Sequence, residues 1–590
     1  MIFLKNIFFS VCALICFITP MQANLIEDYK KEGMIEDLKI IKHTLEVGYA
    51  PLEWKRTHSG WDLNEEFEKA KRQILETSPI TVKDFQKITK NFLSSLHDYH
   101  ADVVFYSSES ASLPFAVKGV NNRYFIDWID TNKLPPAFYP IHVGDEVLSF
   151  NGQPLSKVIN ALKVKGNNNI NSQTDQAVAE IKFTERLGMR GDDVPKGSGV
   201  VEFKSAATGN ILAFQIMWNY NPELMTHPND YLLHLDYLFP ETPKIKRSLM
   251  MCASHQALAK GGSPERGLGG RKSFIPPLGE QIWTHDKKQK NKRISWYAYI
   301  FETDRGRKIG YIRIPHYNGG KEEAKNFEKI ITLFEQETEA LVIDQVNNYG
   351  GFFAFQYDLL SMLTSVPLKT PKHRIKNTPK EILMAYQMLK SFQRVQTSLD
   401  RNGEGQSDIE EEDDLENTSV PMDYQKILFF KDFLNFKIEE WNAGRSFTNP
   451  THLEGVDQIN PHPECRYTKP ILMLINELDF SGGDFVPAIL QDNKRAVLFG
   501  SRTSGAGGFV TTSTFPNENG IMQFSYTGSL AERPDSLLKI ENLGVSPDID
   551  YTLTIEDLQN GYQSYISSIH QAIENLFEKK ENISEINDKE

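Results

Sequence analysis

The sequence predicts an α/β, multidomain protein in which a helical N-terminal region and a β-rich module precede a larger α/β domain. Three observations predict it. Residues 308–344 pass from a strand-like run through an amphipathic helical run to a second, unbroken apolar run. The same strand-then-helix order returns across residues 469–492. At 590 residues, 40% of them apolar and 24% charged, the chain is too long for one ordinary domain and apolar enough for several cores.

Residues 1–23 carry one lysine, an apolar run from Ile7 to Ile18, and Ala23 shortly after a proline, the layout of a secretory signal peptide. Met21 is larger than the residue usual two positions before such a cleavage site. No later stretch has the length and apolarity to span a bilayer, so the mature chain is expected to be secreted and soluble. Cys12 and Cys16 leave with the signal. Only Cys252 and Cys465 remain, with no spacing that argues for a pair, so disulfides are not expected to hold the fold. A formal charge of −13 argues against nucleic acid as a partner.

In the helical region, residues 24–110, Leu38, Ile41 and Leu45 return at helical spacing from Met34, and the helix should stop near Pro51. Thr81, with Asp84 three residues on, caps a second helix whose inner face is Phe85, Ile88, Phe92 and Leu96. That helix runs into His97, Asp98, Tyr99 and His100 and then a strand-like ADVVF. The two histidines would share a helical turn, but no Glu or Cys stands at a zinc-site spacing, so no metal and no cofactor is expected. His100 is open to two readings, a general base at a helix-to-strand junction or an ordinary imidazole.

Residues 111–220 form the β-rich module. Residues 124–147 are strand-rich, and IHVGDEVLSFNG, from Ile141 to Gly152, is an alternating strand broken at Gly-Asp and ended by an Asn-Gly turn. PDZ-like modules share that hairpin pattern, as do unrelated hairpins. Residues 221–272 contain KGGSPERGLGGRK and too little apolar surface for a rigid core, which predicts a mobile, cleavable segment or a plain linker.

The α/β domain spans residues 273–565, with a charged loop DIEEEDDLE at 408–416 and a C-terminal helix and tail at 566–590. KIGYIRIP is a strand, residues 322–334 a helix with Phe327, Ile330, Ile331 and Phe334 inward, and residues 341–344 a buried strand. Asn347-Asn348-Tyr349-Gly350-Gly351 follows at the strand's end, where α/β folds place ligand sites. A further amphipathic helix runs from Tyr424 to Trp441, with Gly444 as its stop. The apolar run 471–475 leads through NELDF to Ser481-Gly482-Gly483 and a second helical pattern, so Ser481 sits between a strand and a helix. There a hydroxyl is either a nucleophile whose oxyanion faces free N–H groups, or simply a helix cap.

Four separated stretches, VIDQVNNYGG, LINELDFSGGDF, GSRTSGAGG and IENLGVSPDID, together resemble the tail-specific, or C-terminal processing, serine peptidases. The resemblance extends through LHDYHADVVFY, GWDL and LSMLTSVPLKTPKHR. It implies an α/β serine peptidase domain after a PDZ-like module, with Ser481 as nucleophile. In that family a Gly-x-x-Thr-x-Gly-Lys-Gly element commonly supplies an activating lysine; here Ala506 holds its place. A serine-lysine dyad is then excluded unless a distant lysine intrudes. His100 fills the vacancy as base, and the resemblance implies Glu541 as third member, directly or through water. Backbone N–H groups of Gly482 and of Gly350 or Gly351 are implied as the oxyanion hole. It further implies a virulence role, with self-cleavage (autoprocessing) in residues 221–272, protein substrates in the cytosol of a host cell, and a homodimer. Two readings compete: a non-catalytic carrier of apolar ligands on the same fold, and an esterase, which the Phe-Ser-Gly context disfavours.

Overall fold

The computed structural model describes residues 26–163, 172–223, 267–288, 292–402 and 424–587. The expected signal peptide, Cys252, most of the segment 221–272 and the loop 408–416 lie outside the described residues. Cys465 is free and buried.

The first helix, described from residue 26, ends at residue 48, with Met34, Leu38, Ile41 and Leu45 buried along one face. It thus stops near Pro51, as expected, and Pro51 itself opens a separate short helix, Leu52–Ser59. Leu63–Glu76 follows, capped by Asp62, and then Val82–Ser94, where the Thr81 hydroxyl and the Asp84 carboxylate form the expected capping box. These helices do not close a core by themselves. Strand Asp102–Phe105 pairs antiparallel with Ile521–Thr527, which brings Ile521, Phe524 and Tyr526 into the helical core. Because the helix stops at Ser94 and His97 adopts φ 47°, His97 and His100 lie on a loop and not on the helical turn that the sequence suggests.

The β-rich module is an antiparallel sheet that includes Phe115–Val120, Arg123–Ile129, Glu146–Phe150, Ser198–Lys204 and Ile211–Met217. The strand expected from Ile141 starts only at Glu146, since Gly144 takes φ 93° and residues 130–145 form a loop. Asn151 and Gly152 both take positive φ, 50° and 74°, as a two-residue hairpin turn requires.

The α/β domain is built on a seven-stranded sheet, in the order Gln281–His285, Tyr297–Glu302, Lys308–Arg313, Ala340–Asp344, Ile471–Ile475, Val497–Gly500, Ile549–Asp550. From Lys308–Arg313 onward the pairings are parallel. Ala340–Asp344 and Ile471–Ile475 are buried at every position because helices cover both faces. Phe327, Ile330, Ile331 and Phe334 of Lys321–Glu337 pack on one face; Tyr565, Ile569 and Ile573 of the C-terminal helix Gln563–Asn587 pack on the other. These two strands are neighbours in parallel, so the loops 345–351 and 476–481 leave the same end of the sheet side by side.

The Thr81 cap can be tested. Thr81→Ala should lower stability by about 1 kcal/mol in denaturant titration, while activity per folded molecule stays unchanged.

Candidate active site

Ser481 stands between Ile471–Ile475 and the helix Gly482–Asp492 with φ 55° and ψ −111°, a conformation that L-residues rarely hold. Its side chain makes no capping hydrogen bond, so the helix-cap reading does not describe this serine. Such a backbone costs on the order of 1–3 kcal/mol and persists only where its surroundings enforce it. Here the enforcement is explicit. Phe480 N–H donates to Asn348 O at 2.8 Å, and Ser481 O accepts from Asp484 N–H at 2.7 Å. The buried Asp479 carboxylate accepts from Asn476 N–H, Asn348 N–H and Gln345 Nε2, all within 3.0 Å, and so ties the two loops together.

The glycines press against this turn. A Cβ on Gly350, where φ is +91°, would lie 2.7 Å from Phe480 O and 2.8 Å from both Gly482 N and Ser481 Cβ. Gly350 N–H donates to Asn348 Oδ1 at 2.8 Å, so in this state it serves its own loop and not an oxyanion. Among the described residues, Gly482 N–H and Gly351 N–H have no protein acceptor. Gly482 is the donor left at the start of the helix, next to the serine, and Gly351 lies on the adjoining loop, one residue after the Gly350 that packs on the turn.

Ala506 is fully buried in an apolar cluster with Leu268, Tyr349, Leu478 and Phe480. Its loop is fastened by Asp484, whose carboxylate accepts from Thr503 Oγ1, Ser504 Oγ, Gly505 N–H and Ala506 N–H. Burial pushes that carboxyl up to about 6, against these four donors.

His100 is buried. Its N–H donates to Asp98 Oδ1 at 2.8 Å, its carbonyl accepts from Ser525 Oγ at 2.7 Å, and its Nδ1 lies 3.5 Å from Thr527 Oγ1, which donates to Asp98 Oδ2. Burial lowers the pKa of this imidazole; Lys55 adds to that and Asp98 opposes it. The adjoining Tyr99 packs edge-on against Phe480, ring centres 5.3 Å apart, which sets the His100 loop beside the Ser481 turn. Among the described residues Ser481 Oγ makes no hydrogen bond. Contacts of this kind commonly tighten only when substrate binds.

Glu541 is also buried. Oε2 accepts from Gly507 N–H at 3.1 Å and Oε1 from the ammonium of Lys55. Burial, then Asp98, raises its pKa, and Lys55 pulls it down. Glu541 thus meets the His100 loop through Lys55, Asp98 and Asn542, whose Nδ2 donates to His97 O at 2.7 Å, and not through a hydrogen bond to the imidazole. Sequence reasoning missed Lys55. It lies in LEWKRTHS among charged and polar neighbours and looks like a solvated lysine, yet its exposure is 1%. No group of three or more His, Cys, Asp or Glu side chains among the described residues is arranged to hold a metal.

Fold and site define a class: a PDZ domain, matched by its family model over residues 109–226, followed by Peptidase family S41, matched over residues 308–551. The chain belongs to Peptidase family S41 and is a serine peptidase. Its particular likeness is to mature CPAF, the Chlamydia protease-like activity factor. A structure of that protein complexed with lactacystin superimposes with TM-score 0.75 at 30% identity, covering 93% of this chain and 99% of the other. An uncharacterized protein of Chlamydia muridarum is 33% identical over 92% of this chain and 93% of its own length, and a carboxy-terminal-processing protease of Bartonella bacilliformis is 32% identical over 16% of this chain. Membership of a peptidase family leaves the ligand-carrier reading without support.

Gly350→Ala should separate site from fold. The added methyl must displace Phe480 O or Ser481, so peptidase activity should fall by about 100-fold or more, with the circular dichroism spectrum retained.

Proposed function

We propose that the chain is a secreted endopeptidase that hydrolyses host proteins through an acyl-enzyme, with Ser481 as nucleophile, His100 as base and Glu541 as third member. The observation that carries this reading is the strained Ser481, whose hydroxyl is not spent on a helix cap and which is followed by the unengaged N–H of Gly482. His100 Nε2 takes the hydroxyl proton as Ser481 Oγ attacks the peptide carbonyl. Gly482 and Gly351 hold the oxyanion, and the steric fit of Gly350 keeps the turn in place. His100 then protonates the leaving amine, and a water activated by the same imidazole resolves the ester. Glu541 supplies negative charge that favours the imidazolium. Secretion, host substrates and a homodimer rest on the family resemblance and on the layout of residues 1–23.

The same reading includes maturation by self-cleavage within residues 221–272. Its support is where the described end of this segment runs. Leu268 packs with Tyr349, Phe480 and Ala506, Gly269 N–H donates to Asn347 O at 2.8 Å, and Gly270 O accepts from Arg313. That end lies against the loop beside Ser481.

Ser481→Ala and His100→Ala should each cut kcat/KM by about 10⁴-fold or more, Glu541→Gln by less, and paired changes should cost little beyond the worse single one. Losses that multiply would overturn the shared unit. Purified wild type should appear as two associated fragments and Ser481→Ala as one chain; a fully active, uncut wild type would reduce residues 221–272 to a linker.

The pH dependence follows from His100. Its folded pKa is lowered, and the base must be neutral, so the acid limb of kcat/KM should lie below the 6.5 or so of an unshifted imidazole. A limb above that value would show that another group titrates.

A further inference from the structure

Lys55 is the cation buried with the proposed catalytic groups, and it has no place in the mechanism above. Its ammonium donates to three acceptors at once: Glu541 Oε1, Asn542 Oδ1 at 2.7 Å and His97 O at 3.1 Å. Those acceptors lie on two loops far apart in the chain, one carrying Glu541 and the other ending in His100. All three donor positions of an ammonium are therefore used, with side-chain exposures of 1% for Lys55 and 0% for Glu541. A lysine is seldom buried so completely unless it is paired, and a buried carboxylate next to a second carboxylate, Asp98, needs a counter-charge to stay ionised. The helix Leu52–Ser59 is otherwise exposed or half-buried, so Lys55 is not carried inward by an apolar face of that helix.

We infer that Lys55 is a positioning residue of the peptidase: it fixes the Glu541 carboxylate relative to the His100 loop and supplies its counter-charge. The inference rests on the assignment of Glu541 to the catalytic unit. It adds a fourth side chain, drawn from the helical N-terminal region, to a unit otherwise described by three. The ammonium is not a base here. It is fully hydrogen-bonded as a donor; its positioning effect passes through Glu541, and its charge also bears on His100.

The titratable groups facing this cluster are Tyr49, His58, His97, Asp98 and His100. Lys55 lowers the pKa of Glu541, His58, His97 and His100, so removing its charge acts on all four in the same direction; two of them belong to the proposed catalytic unit. Glu541 loses the cation that lowers its pKa, so it takes up a proton at higher pH than before. His100 loses a nearby positive charge that also lowers its pKa, so it too stays protonated to higher pH. Both changes push the active form toward alkaline pH.

The experiment compares wild type, Lys55→Met, Lys55→Gln, Glu541→Gln and the double variant Lys55→Met/Glu541→Gln, using a fluorophosphonate titration to count folded active sites. Lys55→Met should lower kcat about 10-fold to 100-fold at neutral pH with KM little changed, and should recover part of that loss as pH rises. In the Glu541→Gln background, Lys55→Met should have no further effect on kcat/KM at the alkaline plateau, where His100 is neutral, and should move only the acid limb. Should Lys55→Met fail to fold, Lys55→Gln keeps a hydrogen-bond donor without the charge and must give the same alkaline shift. The double variant removes both members of the Lys55–Glu541 pair, so neither is left buried without its partner. The inference is overturned if the folded Lys55 variants keep the wild-type pH profile, if they lose activity equally at every pH, or if the double variant loses the product of the two single losses. A wild-type rate in Glu541→Gln alone would instead remove Glu541 from the catalytic unit, and the inference about Lys55 with it.

Discussion

The left-handed backbone at Ser481 is the constraint around which the rest of the α/β domain is arranged. A serine does not choose φ 55° and ψ −111° unaided; the turn exists because its neighbours leave no relaxed alternative. Asp479 fastens the loop before it to Asn348 and Gln345, the carbonyl of Asn348 holds Phe480, and Gly350 comes so close that no other side chain fits. Each of these contacts depends on two adjacent parallel strands ending at the same level, which the register of Leu341 opposite Ile471 provides. The strain is thus distributed over a buried amide and carboxylate network.

A second tie runs across the molecule. The loop bearing His100 belongs to the helical region, the loop bearing Glu541 to the end of the α/β domain, and buried polar groups fasten one to the other. Breaking one partner of a buried ion pair costs about 3–5 kcal/mol because the other charge is left without compensation. Such a link is a poor source of net stability and a strict specifier of geometry. The vacated lysine position makes sense in this light. Ala506 is packed by Tyr349, Leu478, Phe480 and Leu268, an apolar setting that would hold an ammonium only at high cost.

Much of the fold was legible because it is written in local patterns. Period and composition located the strands Lys308–Arg313, Ala340–Asp344 and Ile471–Ile475 and the helices between them, and Thr81 with Asp84 marked a helix start. Ser481 was legible from its place between a strand and a helix. What stayed hidden depends on partners distant in sequence. Lys55 sits among polar neighbours and is buried by residues more than 480 positions away, and no periodicity reports that. The direction of the Gly350 N–H was equally invisible, since Asn348 claims it through a side-chain turn. The end of the helix at Ser94 was overrun because the apolar spacing continues to Leu96, which is buried, although the backbone there is no longer helical.

The pairing of Asp102–Phe105 with Ile521–Thr527 has a consequence for how the protein comes to be made. The helices of the N-terminal region lack Ile521, Phe524 and Tyr526 until more than five-sixths of the chain has been synthesised, so they cannot seal their own core while the ribosome is still at work. Contacts of such long sequence separation form late and slowly. A newly made chain therefore has its early helices without a closed core until that strand has been made. A fragment truncated before residue 521 would lack the strand that completes the core of its own N-terminal helices.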